Sequence, residues 1–174
     1  MIRVMPMFHR RLDQVSTINI QVASAGSWQK KPKMPQIVAI PLRKCEVASH
    51  SGKTSNSAIL HDAPVKSMIA APGHWCPNPA ATTCLRVCGN SMAPLTGHGY
   101  ILAVDSSQHD HAKPDGSIVI AWHKNKGLMV SRLKRYGPTE VLEPENKEYE
   151  PIVLNNEKRW KILAKVLWWI GKSS

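Results

Sequence analysis

The segment Leu85-Arg-Val-Cys-Gly-Asn-Ser-Met-Ala-Pro-Leu95 joins an apolar run to an abrupt stop. The strand-like pattern ends at Gly89, Asn90-Ser91 favours a sharp turn, and Pro94 bars an ordinary continuation of the strand. Ser91 is thereby displayed at a strand end. A hydroxyl in that place can act as a nucleophile when a neutral base reaches it and main-chain N–H groups face the developing oxyanion. Taken alone, a turn serine that bonds its own backbone is the plainer account.

The other reactive side chains have quieter explanations. Cys45, Cys76, Cys84 and Cys88 are too few and too unevenly placed for a disulfide framework, and reduced thiols are expected. His74 could join three of them around zinc, but no Cys-x-x-Cys pair is present, so buried neutral thiols are the expectation. His109-Asp-His111 sits in a Pro- and Asp-rich turn and reads as a surface loop. No metal and no cofactor are expected.

The elements that must position Ser91 are short. From Pro35 onward, apolar runs separated by turn residues cover 36–42, 65–70, 83–88, 99–105, 116–123, 128–136, 140–142, 151–154 and 160–170. That spacing predicts a mainly β domain of small, mostly antiparallel sheets with few short helices. The break between Glu46 and Ala63, rich in Ser, His, Lys and Asn, reads as an exposed loop. Parity places Met129, Ser131 and Leu133 on one face of their strand and Val130, Arg132 and Lys134 on the other. In the last strand, Trp160, Ile162, Ala164, Val166 and Trp168 are expected to share a face, opposite Lys161 and Lys165.

Residues 1–35 form a different kind of segment, a basic arm preceding the domain at 36–174. The chain carries a formal net charge of +11, and residues 1–44 hold eight Lys/Arg against a single acid, Asp13. Such an arm can contact phosphates without sequence preference, although basic termini are also commonly just solvated. It is too short for a helix-turn-helix, so any DNA-reading head would belong to a longer parent chain. No run of ~18 apolar residues suggests a membrane span. The start of the chain, MIRVMPMFHRRLDQ, lacks a signal-peptide pattern, and a cytoplasmic protein is expected.

Read in order, the chain resembles the self-cleaving serine–lysine peptidase domain of the LexA, UmuD and phage-repressor family. Val87-Cys-Gly-Asn-Ser-Met-Ala-Pro-Leu95 resembles its nucleophile segment, with Ser91 in the attacking position and Met92 in the oxyanion region. Gly99-Tyr-Ile-Leu-Ala-Val-Asp105 resembles the following element, with Tyr100 where the family usually has Asp. Asp115–Ala121, Val141–Ile152 with its Leu-x-Pro-x-Asn-x-x-Tyr-x-Pro-Ile pattern, and Trp160–Val166 resemble three further elements. Any one of these is weak evidence, whereas five in order over residues 36–170 define a fold.

The resemblance also exposes two departures. The family's general base is the lysine of Val-Lys-Arg-Leu, an amine with an ordinary pKa of ~10.4 that burial must hold neutral. Here the segment is Val130-Ser-Arg-Leu133, so Ser131 stands at the lysine position. Lys134 falls on the opposite face and would need a bulge to reach Ser91. Lys124 and Lys126 lie in a hairpin turn, and His98 is a loop histidine of suitable ordinary pKa. The family cleaves itself at a small pair such as Ala-Gly. The corresponding place here is Ala48-Ser49, and the sole Ala-Gly, Ala25-Gly26, lies far upstream.

Together these imply a regulatory or dimerising module of a transcriptional repressor or DNA-damage-response protein whose self-cleavage is lost. The alternatives are an active peptidase with a substitute base, and a nucleic-acid-binding protein that works through its basic arm. A homodimer paired through the C-terminal β region, with Trp160, Trp168 and Trp169 near it, is also expected.

Overall fold

The computed structural model describes residues 36–48, 60, 63–107, 115–123, 125–154 and 160–171. Nine strands account for most of them: β1 (Ile37–Ala48), β2 (Val65–Pro72), β3 (Thr82–Cys88), β4 (Ile101–Asp105), β5 (Ile118–His123), β6 (Gly127–Tyr136), β7 (Thr139–Glu143), β8 (Ile152–Val153) and β9 (Trp160–Ile170). The helical content described is two single 3-10 turns, Gly73–Trp75 and Pro79–Ala81. The chain is therefore mainly β, and each expected apolar run carries a strand. β-Branched and aromatic residues such as Ile118-Val-Ile-Ala-Trp122 favour this pleated, half-buried state.

The strands join in one sheet, in the order β2-β1-β3-β4-β9-β5-β6-β7-β8. Long β9 unites what would otherwise be two smaller sheets. Its C-terminal half pairs with β4 from Lys165 to Ile170, and its N-terminal half pairs with β5 from Trp160 to Lys165. Most neighbours are antiparallel, but β1 runs parallel to β3 and meets β6 in parallel at Ala48–Met129. That last pairing brings β6 back to β1, so β1, β3, β4, β9, β5 and β6 form a closed ring of strands.

The ring encloses the main core: Leu85, Val87, Leu102, Val104, Ile118, Ile120, Leu128, Val130, Ala164 and Val166 pack together with Met92. Each such aliphatic side chain stabilises the fold by about 1.5–3 kcal/mol on full burial. Two outer clusters cover the sheet's other face. Ile40, Leu42, Cys76, Cys84 and Ala103 form one, and Val119, Ala121, Leu133 and Leu142 the other.

Two expectations are corrected. The stretch before β2 is not uniformly exposed, because Leu60 and Ala63 are buried in the main core. The face assignment of β9 also fails. Register shifts opposite Ile120/Ala121 and Ala103/Val104 mark two irregularities in its pairing. A one-residue slip moves every later side chain to the other face. Trp160 and Ile162 consequently join one outer cluster, Ala164 and Val166 the ring interior, and Trp168 the other outer cluster.

Candidate functional site

The Ser91 turn is built from its sequence. β3 ends at Cys88, and Gly89 takes φ 107°, a left-handed conformation that only glycine adopts readily. The Ala93 N–H donates to the Asn90 carbonyl at 3.0 Å and the Thr96 N–H to the Met92 carbonyl at 2.9 Å, making one compact turn. Met92 drives its side chain into the ring interior, 1% exposed. The loop closes where the His98 N–H donates to Asn90 Oδ1 at 3.1 Å.

Ser91 is 3% exposed, and its Oγ has no hydrogen-bond partner among the described residues. A buried hydroxyl left unbonded costs about 1–3 kcal/mol, and such groups concentrate where a partner of the chemistry is absent. Ser131 is likewise buried, within β6 and opposite Val119 of β5. The register of β6 runs without interruption from Gly127 to Arg132 against β5 and from Arg132 to Tyr136 against β7. No bulge therefore turns Lys134 toward the face of Ser131. Among the described residues, Lys126 is exposed with its amine 6.0 Å from the Trp160 ring centroid, and His98 is exposed in its loop. None of these groups is bonded to Ser91 Oγ.

A short bridge ties the two serines' elements together. The Arg132 guanidinium, next to Ser131, forms an ion pair with Glu145. The following residue, Asn146, donates its main-chain N–H to the Ser91 carbonyl at 2.9 Å and its Nδ2 to the Asn90 carbonyl at 3.3 Å. Asn146 also accepts the Glu148 N–H on Oδ1 at 3.0 Å, which fixes its side chain. Sequence reasoning assigned Asn146 no role. Its signals were that it is the Asn of the Leu-x-Pro-x-Asn-x-x-Tyr-x-Pro-Ile pattern and that it opens a turn before Tyr149, as a residue type that bonds nearby backbone groups.

The candidate scissile segment reaches the same seam. Ala48 pairs with Cys88, three residues before Ser91, and with Met129, two residues before Ser131. Ser49, Ala25 and Gly26, like Lys124, His109 and His111, lie outside the described residues.

Two of the thiols, Cys76 and Cys84, are core groups. Burial pushes the Cys84 thiol up to about 12, with nearby Cys76 adding to the effect, and burial raises Cys76 as well. Protonated, buried sulfur is poorly suited to bind a metal or attack a carbonyl.

A closed ring of short strands with a serine held just past the end of β3 has the architecture of a LexA-like peptidase fold. A family model described as Peptidase S24-like matches residues 50–167, and the chain belongs to that family. This is the family of LexA, UmuD and the phage repressors. No curated protein matches the chain. No helix among the described residues is long and apolar enough to cross a membrane.

Proposed function

We propose that this protein is a regulatory and dimerising module of the LexA type, of the kind found in transcriptional repressors and DNA-damage-response proteins, in which self-cleavage has been lost. One observation supports the reading: Ser131, which stands where the family resemblance puts the lysine, is buried in β6, while the buried Ser91 hydroxyl has no hydrogen-bond partner among the described residues. A serine hydroxyl cannot accept a proton at neutral pH, so Ser91 has a display geometry without an activator. Loss of a general base typically costs ~10²–10⁴ in rate. The altered pair at Ala48-Ser49 agrees with this, since a site that does not cut has no need of a cleavable bond.

The reading is tested by rebuilding what is missing. Ser131→Lys combined with Ser49→Gly supplies both an amine and an Ala-Gly pair. Cutting after Ala48 in this variant, abolished by Ser91→Ala, is the expected result. Equal cutting by the unaltered chain would contradict the proposal.

A second reading, an active peptidase using Lys134 or His98, is favoured by the position of Ala48. Its backbone lies in ladder with both Cys88 and Met129, beside the nucleophile turn.

A further inference from the structure

Outside the seam, the outer face of β3, β4 and β9 carries a row of lateral neighbours. Arg86 pairs with Ile101, and Ile101 pairs with Ile170. Adjacent Leu85 and Leu102 point the other way, into the ring interior. The loop residues His98, Gly99 and Tyr100, together with Gly171, complete the lining of a cleft of about 510 Å³ beside this row; Tyr100 also packs against the main core. That size suits a small organic ligand, for which clefts of ~300–1,000 Å³ are usual.

The lining has one chemical character. A guanidinium, an imidazole and a phenol supply donors, two isoleucines supply apolar wall, and no lining residue is acidic. Arg86 Nη1 donates to the Gly99 carbonyl at 2.8 Å, which fixes the guanidinium and leaves its Nε and Nη2 donors available among the described residues. Tyr100 is also deliberately seated: a Cβ at Gly171 would lie 2.3 Å from its ring, so only glycine permits that packing. Ile170 is 43% exposed, leaving an apolar rim at the mouth.

We propose that this cleft binds a small molecule carrying a carboxylate on a short apolar body. The planar fork of arginine matches a carboxylate through two parallel N–H···O bonds. The isoleucines take the hydrocarbon part, with His98 and Tyr100 beside it in the lining. The cleft wall and the Ser91 turn belong to one loop, joined by the bond from the His98 N–H to Asn90 Oδ1. The proposal does not depend on whether Ser91 is active.

The test uses the full chain with four probes: hexanoate, benzoate, hexanol and inorganic phosphate, followed by the ring NMR signals of Tyr100 and His98 and by calorimetry. Saturable binding of hexanoate or benzoate that shifts both rings is expected. Affinity should fall about tenfold or more in Arg86→Gln, as expected when a hydrogen bond to a charged group is lost. Ile170→Glu leaves the Arg86–Gly99 bond intact and places a like charge at the mouth, so it should abolish binding without disturbing the loop. The proposal is overturned if neither carboxylate binds saturably at millimolar concentration, or if hexanol or phosphate binds as well as hexanoate. It is equally overturned if Ile170→Glu binds normally.

Discussion

A hydroxyl at position 131 does not titrate in the range where proteins stay folded, whereas an amine placed there would. In Ser131→Lys the new side chain enters a position 2% exposed. Burial disfavours its charged form and lowers its folded pKa below the unfolded ~10.4. The unfolded chain then binds more protons than the folded one at neutral pH, so the variant is destabilised there and recovers as pH rises toward the unfolded pKa. Thermal melts from pH 7 to 10 should show the gap to the parent protein narrowing steadily. Cys84 has the opposite linkage. Its thiol is raised from 9.0 to about 12 by burial, so the folded state holds a proton that the unfolded state has released. Its contribution is fully present below pH 9.0 and is lost as pH rises toward about 12. Cys84→Ala should decline less over that window, and Cys84 in the native protein should resist thiol reagents at pH 8 until the chain is unfolded.

Asn146 acts between elements, joining the β7–β8 loop to the turn after β3. Its Nδ2 bond to the Asn90 carbonyl is lost in Asn146→Ala, with an expected destabilisation of about 0.5–1.5 kcal/mol. Amide exchange over residues 89–96 should accelerate more than exchange in β5 or β9, because the damage is local. Truncation of Leu102, wholly buried in the ring interior, should cost about 2–5 kcal/mol as Leu102→Ala, measured by denaturant unfolding. The difference between these two variants separates a positioning contact from a core contact. At this scale the sequence was informative but uneven. The nine apolar runs all became strands, and parity held in β6 because its ladder is unbroken. In β9 parity failed, since its irregularities follow from pairing with both β4 and β5, and no Gly or Pro within Trp160–Ile170 marks them. Leu60 and Ala63 were missed because the apolar run Ala58-Ile-Leu60, cut off by His61-Asp62, is too short to show a period that betrays burial.

The whole molecule is organised by ring closure, which brings the ends of β1, β3 and β6 to one seam. That closure could not be read from local pattern, because the Ala48–Met129 pairing joins residues far apart in the chain. Ser91, Ser131 and Ala48 were instead reached through family motifs, whereas the bonding role of Asn146, itself a motif residue, and the Arg86 cleft needed coordinates. Pairing of two copies through the C-terminal β region remains a proposal at this scale. Sedimentation at tens of micromolar should give a dimer if the Kd is ~1 μM or tighter, and a monomer alone would refute it. The central claim, that the Ser91 hydroxyl lacks a base, is tested most directly by holding the purified chain at mildly alkaline pH for a long incubation and recording intact mass. In the family such pH releases the lysine amine for attack; here no proton acceptor is created, so the account predicts a single intact species. Fragments ending at Ala48 or Ala25 that disappear in Ser91→Ala would contradict it.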